Sequence, residues 1–515
     1  MPKSFRIGTR GSLLARTQST QIKEALEQLT GHAFELEIIQ TQGDQDTSKP
    51  LWQLEGKDFF TKELDQALLE RKIDLVVHSY KDLGSERPKD IQLAAITERK
   101  FGHDILLTST ATVNLLKDKK IREFNLGTSS PRRIHNCKKH LASYLPYGED
   151  LTIKTKMLRG NINTRIEKLR NGEYHGIVLA LAGLERLALT PASKEPLKEL
   201  LTGLDFMLLP HSSFPSAASQ GALAIECHRE NSEVCQMLEK LRHEKTEDEI
   251  FRERQAFNDY GGGCHLAVGI QVDFRNGHYL HIHKGTLENE EINNRHIEGI
   301  ALPKPEGSLF IGLPESRRAQ LKGFSPQVIM DEVIEKVPLS GINLAPGPLY
   351  ITSINVLNAI EGKEIKHSLW VPGNKTWKRM AGEGHWIQGS SDGLGDNELK
   401  NFIQSEALQL FPHTIKGNLQ VLTHTEGTSP LGKIISCYNR KSKSIEEKHI
   451  EELKKVGLFY WTSFYQYETF CQLFPFVEKA KHACGLGKTW DQFKKKEIAV
   501  TPVAALEDLK PWDLL

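Results

Sequence analysis

The first third of the chain alternates short apolar runs with segments of helical period. Residues 4–9 predict a strand, 12–29 a helix, and 34–40 alternate as a strand. Residues 51–58 read as a loop tipped by Gly56, Lys57 and Asp58, and 61–71 as a helix. Residues 74–78 form a buried strand that ends in His78-Ser79-Tyr80-Lys81-Asp82. This strand–helix–strand rhythm predicts parallel sheets with sites at the strand C-termini. A second such unit covers 105–215, with strand-to-helix junctions at 125–133, 158–165 and 176–186. At the first junction Ser130 reads as the N-cap and Pro131 as the first helical residue. Residues 222–260 read as largely helical. Residues 266–300 alternate as a small antiparallel sheet, and Pro303, Pro305 and Gly307 mark a linker.

Beyond 308 a faint duplication appears. Tyr350-Ile-Thr-Ser353 returns as Tyr460-Trp-Thr-Ser463, and Lys375-Thr-Trp377 as Lys488-Thr-Trp490. Two related α/β units are the simplest account.

Composition narrows the partners. A length of 515 residues fits three to four domains. A formal net charge of +1 gives no global field for nucleic acid or membranes, so anion binding has to be local. The 7 cysteines are odd in number and scattered, which fits a reducing compartment. The N-terminus lacks the apolar run of a signal peptide, and no stretch approaches about 18 apolar residues. The expectation is a cytoplasmic monomer that binds neither nucleic acid nor membrane. The histidines show no metal-ligand spacing, so no metal is expected. His281 and His283 read as ordinary strand residues.

The candidate chemistry lies in the first half. Arg10, Arg132, Arg133, Arg159, Arg165 and Arg186 each fall near a strand end or helix start. Arginine's planar fork binds carboxylates bidentately, so six converging arginines suit a ligand with many carboxylates. Asp82, beside Lys81, is placed to stabilise a cationic intermediate or shuttle a proton; alone it reads equally as a turn aspartate. Thr128, Ser129 and Ser130 either donate to carboxylates or cap a helix. Phe59 and Phe60 either lid an aromatic ligand or anchor the core. Cys264 follows Gly261-Gly262-Gly263. A free cysteine is usually a small buried hydrophobe, but the glycines argue for close backbone approach and a covalent anchor.

Together these motifs resemble the hydroxymethylbilane synthase, or porphobilinogen deaminase, family. The matching segments are Arg6-Ile-Gly-Thr-Arg-Gly-Ser12, Gly56-Lys57, Thr61-Lys-Glu-Leu, Val77-His-Ser-Tyr-Lys-Asp82, Gly127-Thr-Ser-Ser-Pro-Arg-Arg133, Leu158-Arg-Gly-Asn, Asn163-Thr-Arg165, Ala182-Gly-Leu-Glu-Arg186, Gln220-Gly-Ala-Leu-Ala-Ile-Glu226 and Gly262-Gly-Cys264. The resemblance implies two α/β lobes like periplasmic binding proteins (1–100 with 218–240, and 101–217) and a small α+β cysteine domain (241–305). It also implies a dipyrromethane cofactor held by a thioether to Cys264. Four porphobilinogens are then added head to tail with loss of ammonia, and hydrolysis releases hydroxymethylbilane. Asp82, Lys81 and Arg10 carry over as catalytic. Ser12, Lys57, Lys81, Asp82, Thr128, Ser129, Ser130, Arg132 and Arg133 carry over as cofactor contacts, and Arg10, Arg159, Arg165, Arg186 and Gln220 as substrate contacts. The sequence departs from the family in its glycine-poor lid loop at 55–59, in Tyr80 for methionine, in Ser219 for glycine, and in a short cysteine domain without its terminal helix.

Residues 308–515 resemble uroporphyrinogen-III synthase in the order of their motifs: a strand and helix over 308–338, a Thr-Ser strand end at 352–353, a Gly-x-Lys-Thr turn at 373–376, a strand with a Thr-Glu-Gly turn from Val421 to Gly427, then Tyr438 and a second Thr-Ser and Gly-Lys-Thr. This implies a two-lobed α/β module, with 308–340 and 440–515 in one lobe and 341–439 in the other. Tyr438 would assist loss of a hydroxyl. Thr352, Ser353, Thr376, Thr462, Ser463 and Thr489 would bind carboxylates or merely cap helices. The expected function is a bifunctional tetrapyrrole enzyme that converts porphobilinogen to uroporphyrinogen III. The alternatives are a deaminase with an inactive C-terminal module and a periplasmic-type polycarboxylate-binding protein.

Overall fold

A computed structural model describes residues 3–41, 61–263, 265–304, 306–360, 368–411 and 419–513. The first sheet has the strand order Ala33–Ile38, Ser4–Thr9, Leu75–Ser79, Leu223–His228, Ile91–Ile96. The first three strands are parallel. Leu75 to Val77 are buried on both faces, as a central strand requires. The second sheet runs Thr152–Lys156, Glu123–Gly127, Gly176–Ala180, Asp104–Ser109, Leu204–Leu208. The chain passes from the first sheet to the second near residue 100 and returns near 220, so two α/β lobes face one another across a double crossing. Strands Ala267–Arg275, His278–Leu287 and Glu290–Ile297 form an antiparallel meander behind the helix Glu244–Asp259.

Two readings of the pattern need correction. Residues 222–260 are helical over Ser232–Glu239 and Glu244–Asp259, but Leu223–His228 is a strand, antiparallel to its neighbours on both sides. Its Leu-Ala-Ile-Glu-Cys run fits either period, and burial between two strands decided it. The stretch 308–338 has no α-helix. After the strand Ser308–Pro314 comes a short 3-10 helix, Glu315–Gln320, and then two more strands.

The C-terminal half also holds two sheets. One is parallel: Ile329–Asp331, Ser308–Pro314, Val456–Trp461, Lys481–Cys484, Thr501–Pro502. The other is six-stranded: Ile334–Pro338, Gly432–Ser442, Leu419–His424, Leu349–Ile351, Leu369–Val371, Gly389–Ser390. Ile334–Pro338 thus pairs in the six-stranded sheet although the chain before it builds the other one. The repeated motifs occupy equivalent places. Ser353 and Ser463 each accept a backbone N–H at a helix start. The Thr352 and Thr462 hydroxyls each donate to a carbonyl of an adjacent strand. Trp377 and Trp490 are each buried in the following helix.

The two halves share cores. Leu141, Tyr144 and Phe214 pack with Trp377, Met380 and Trp386, and Phe206 and Leu208 pack with Trp370, Phe402 and Phe411. The Trp377 and Trp386 indoles donate across the junction to the carbonyls of Tyr144 and Phe206, at 3.1 and 3.0 Å. Buried carboxylates lock it from each side: Glu185 accepts from the Ser405 hydroxyl and the Ala407 amide, and Asp392 accepts from the Ser212 amide and hydroxyl. The meander joins the parallel sheet through Leu280, Ile282, Phe310 and Trp461, with Arg275 paired to Glu398 at 2.7 Å.

Candidate active site

A cleft of about 1490 Å³ lies between the first two lobes and reaches the glycine run of the third. All six sequence-identified arginines line it, together with Ser12, Lys81, Asp82, Ser129, Ser130 and Gln220. They arrive from separate strand ends, which is what the parallel topology provides. Thr128 does not reach the cleft: it is buried, and its hydroxyl accepts the Ser130 amide. Lys57 and Cys264 lie outside the described residues, as do Gly56, Asp58, Phe59 and Phe60. Of the anchor motif the structure describes Gly261, Gly262 and Gly263, with φ of +90°, +62° and +88°. Three successive left-handed residues account for the glycines by conformation, and a Cβ at Gly263 would also come within 2.7 Å of the His265 ring. A side chain at Gly261 would meet nothing within 4 Å.

The floor of the cleft is organised by Asp104, which the sequence did not single out. It is 1% exposed and accepts from Arg132 Nη1 at 2.8 Å, from Arg133 Nε and Nη2 at 3.1 and 2.7 Å, and from Gln220 Nε2 at 2.9 Å. Burial pushes its carboxyl up, but Arg132 and Arg133 hold it far below the usual carboxylate range. These two arginines, expected as ligand forks, are thus largely committed to an internal counter-ion. Gln220 is committed too, donating to Gly102 O and accepting from Lys81 Nζ at 3.2 Å. Lys81 is half-exposed toward the cleft. Loss of hydration pushes it down to about 8, against the pull of Asp82. Asp82 is exposed in the cleft.

Among the described residues no salt bridge pairs Arg165 or Arg186 with a carboxylate. Burial, then repulsion from Arg133 and Arg159, pushes Arg165 down to about 10, and burial pushes Arg186 down to about 10. Arg165 Nε donates to Gly160 O, and Arg186 Nη2 to Gly221 O. Both stay cationic at neutral pH, and ligand carboxylates would relieve their crowding. Ser12 lines the cleft while its hydroxyl caps the helix Leu13–Thr30. Ser129 ties two loops together through both backbone groups of Leu158. Arg254 and Lys168 also line the cleft and were missed. Tyr80 explains itself here: the Arg254 guanidinium lies 5.1 Å from its ring centroid, linking the first lobe to the cysteine domain's helix.

A second cluster surrounds Tyr438, which is buried on the strand Gly432–Ser442. Burial raises its hydroxyl pKa, while hydrogen bonds with Ser353 and Asn355 pull the other way. Arg317 donates to Asn355 at 3.5 Å and lies within electrostatic reach of Lys336 and Lys375. Arg440 flanks the group, paired with Glu426. Sequence reading found Tyr438 and Ser353 here but missed these cations. Thr376 is buried in the helix Asn374–Gly382. Thr489 donates to Thr462 O at 3.4 Å in the other lobe. Among the described residues no hydrogen bond joins the Thr462–Thr489 set to the Tyr438 set.

Residues 5–236 match the family model described as "Porphobilinogen deaminase, dipyromethane cofactor binding domain". The chain is 35% identical over 291 residues to the "Probable porphobilinogen deaminase" of Methanocaldococcus jannaschii, covering 56% of this chain and 90% of that protein. The chain belongs to the porphobilinogen deaminase family. To the "Porphobilinogen deaminase" of Nitratiruptor it is 36% identical over 305 residues, 59% of this chain and 84% of that one. The C-terminal half lies beyond most of this match. The crystal structure of uroporphyrinogen-III synthetase from Helicobacter pylori is similar at 16% identity and a TM-score of 0.27, covering 39% of this chain and 95% of that one. A similarity at that score carries no argument. No described helix is long and apolar enough to cross a membrane.

Proposed function

We propose that the chain is a hydroxymethylbilane synthase whose C-terminal half closes the product to uroporphyrinogen III. The observation that carries the first activity is a cleft in which the carboxylates Asp82 and Glu86 lie among two lysines and many arginines, adjoining the Gly261–Gly263 run that precedes Cys264. Porphobilinogen brings an acetate and a propionate on each pyrrole, so a growing chain accumulates the anions that Arg10, Arg159, Arg165 and Arg186 bind. The residues present fit a covalently held polycarboxylate. A dipyrromethane on Cys264 would supply the primer for chain growth. Asp82 stabilises the cationic pyrrole left by loss of ammonia and the pyrrole N–H groups facing it. Lys81 binds a side-chain carboxylate, set in place by Gln220. Ser12, Ser129 and Ser130 add hydrogen bonds at the cleft wall. The free thiols among the described residues fit a reducing, cytoplasmic setting.

The cyclisation reading rests on Tyr438. A buried phenol whose pKa is raised keeps its proton at neutral pH and is placed to donate it to a leaving hydroxyl. Arg317, Lys336, Lys375 and Arg440 surround it with charge for carboxylates. Ser353 orients the phenol, and the hydroxyls of Thr352, Thr462 and Ser463 shape their strand ends. Two substitutions test both readings. Asp82→Asn is expected to keep the mass of the dipyrromethane adduct, which Cys264→Ser loses, yet to abolish most porphobilinogen consumption. Tyr438→Phe is expected to spare that consumption and lower the isomer III fraction. Consumption at the unmodified rate in Asp82→Asn would remove Asp82 from the mechanism.

A further inference from the structure

The helix Pro131–His140 joins two basic regions. Its first turn carries Arg132 and Arg133 at the cleft floor. Its last turn, about 10 Å further along the axis, carries Lys138, Lys139 and His140. Three units meet at that end. The meander contributes Lys284, whose carbonyl accepts from Asn136 Nδ2 at 3.3 Å. The C-terminal half contributes Lys378, whose Nζ lies 5.0 Å from the Tyr144 ring centroid. The Trp377 bond to Tyr144 fixes that helix in place.

The cations continue from there toward Tyr438. Lys284 lies within electrostatic reach of Arg295, Lys378 and Lys139. Lys375 stands one helical turn from Lys378 and within reach of Arg317. Arg317 in turn reaches Lys336 and Tyr438.

The charges in this row are weakly compensated. Lys139 pairs with Glu291, and Arg440 with Glu426. Among the described residues Lys284, Arg295, Lys336, Lys375 and Lys378 make no salt bridge; the surrounding ion pairs involve other residues. Four acids oppose them. Asp392 near Lys284 is held by Ser212, Asp331 faces Lys336, Glu507 faces Lys375, and Asp508 faces Arg295. In a chain of net charge +1, five cations without a salt bridge in one row are a local excess over the acids that face them, which an outside anion would offset.

We propose that this row is a binding track for a linear tetrapyrrole polycarboxylate, which leads it from the deaminase lobes to the Tyr438 cluster. Its destination rests on the cyclisation reading; its capacity to bind does not. With four acetates and four propionates, such a ligand spans several cations at once and exchanges them one by one. Charge placed this way acts over a Debye length of about 8 Å, so neighbouring groups along the track overlap.

Two measurements on the full-length protein test it. The first is binding of uroporphyrin I, a stable octacarboxylate, followed by fluorescence at low and physiological salt. The double variant Lys284→Gln with Lys378→Gln is compared with a matched control, Lys494→Gln with Lys495→Gln. Arg295→Gln is a second, independent variant. Binding about tenfold weaker in the double variant than in the control is expected, with a shallower salt dependence. Equal binding in the double variant, in Arg295→Gln and in the control would overturn the track.

The second measurement is the isomer III fraction made from porphobilinogen at an unchanged rate of consumption. A lower fraction in the double variant is expected. Weakened binding with an unchanged fraction would overturn the transfer role. Weakened binding in an enzyme whose unmodified form makes only isomer I would sink the cyclisation reading and leave the polycarboxylate surface standing.

Discussion

Asp104→Asn isolates the charge that organises the cleft floor. The substitution keeps the shape of a side chain that is 1% exposed and accepts four hydrogen bonds, three of them from Arg132 and Arg133. It leaves two buried guanidinium groups facing a neutral amide, one edge of which is now a donor. Removing one partner of a buried ion pair costs about 3–5 kcal/mol. Arg132 and Arg133 sit beside an open cleft, where water recovers part of that loss, so the lower end, about 3 kcal/mol, is expected. That is a large share of a typical stability of about 5–15 kcal/mol.

Denaturant unfolding followed by tryptophan fluorescence reads it, because Trp370, Trp377 and Trp386 all pack in cores shared with the second lobe. The pH dependence supplies the sign. Asp104 has a folded pKa far below its unfolded value near 4, so its contribution is fully present above about pH 4 and is lost as pH falls through the folded value. The gap between the two proteins is therefore expected to stay constant from pH 7 to about 5 and to close only in stronger acid. A gap under about 1 kcal/mol at pH 7 would refute the assignment of Asp104 as the counter-ion of both arginines.

Three further outcomes are expected. Ser219 sits at φ +66° with a buried hydroxyl that has no hydrogen-bond partner; Ser219→Gly removes a left-handed side chain and should raise stability by about 1 kcal/mol, with an unchanged or lower melting temperature as the contrary result. Lys81 titrates near 8, so apparent porphobilinogen affinity should fall as pH rises through 8, and Lys81→Arg should lose that inflection; the same residue contributes instability below about 8 that vanishes between 8 and 10.5, where the unfolded chain holds more protons. Trp377→Ala should destabilise the deaminase half by about 4 kcal/mol although it lies far beyond it in sequence, and a cleft half that unfolds independently of this change, by hydrogen exchange of Asp104–Ser109, would contradict the shared core.

The sequence made the cleft legible because its cations fall at strand ends, where parallel topology concentrates side chains. Arg159, Arg165 and Arg186 were readable one junction at a time. Asp104 was not, because an aspartate opening a strand carries no local mark. Its meaning comes from Arg132 and Arg133, which reach it from another element. The strand Leu223–His228 was hidden by a run that suits either period. The Thr-Ser duplication was readable as a motif, but not the direction of its hydroxyls, which turn to backbone partners. The docking of the two halves left no trace in the pattern either. Trp377, Trp386 and Phe402 look like ordinary inward-facing residues whether the surface they meet belongs to their own sheet or to another.

The central claim is that one chain both builds the linear tetrapyrrole and closes it with inversion of the last ring. Incubation of the full-length protein with porphobilinogen, oxidation of the products and separation of the uroporphyrin isomers tests this directly. Mostly isomer III is the expected result. Isomer I alone, from protein carrying its full adduct mass on Cys264, would contradict it.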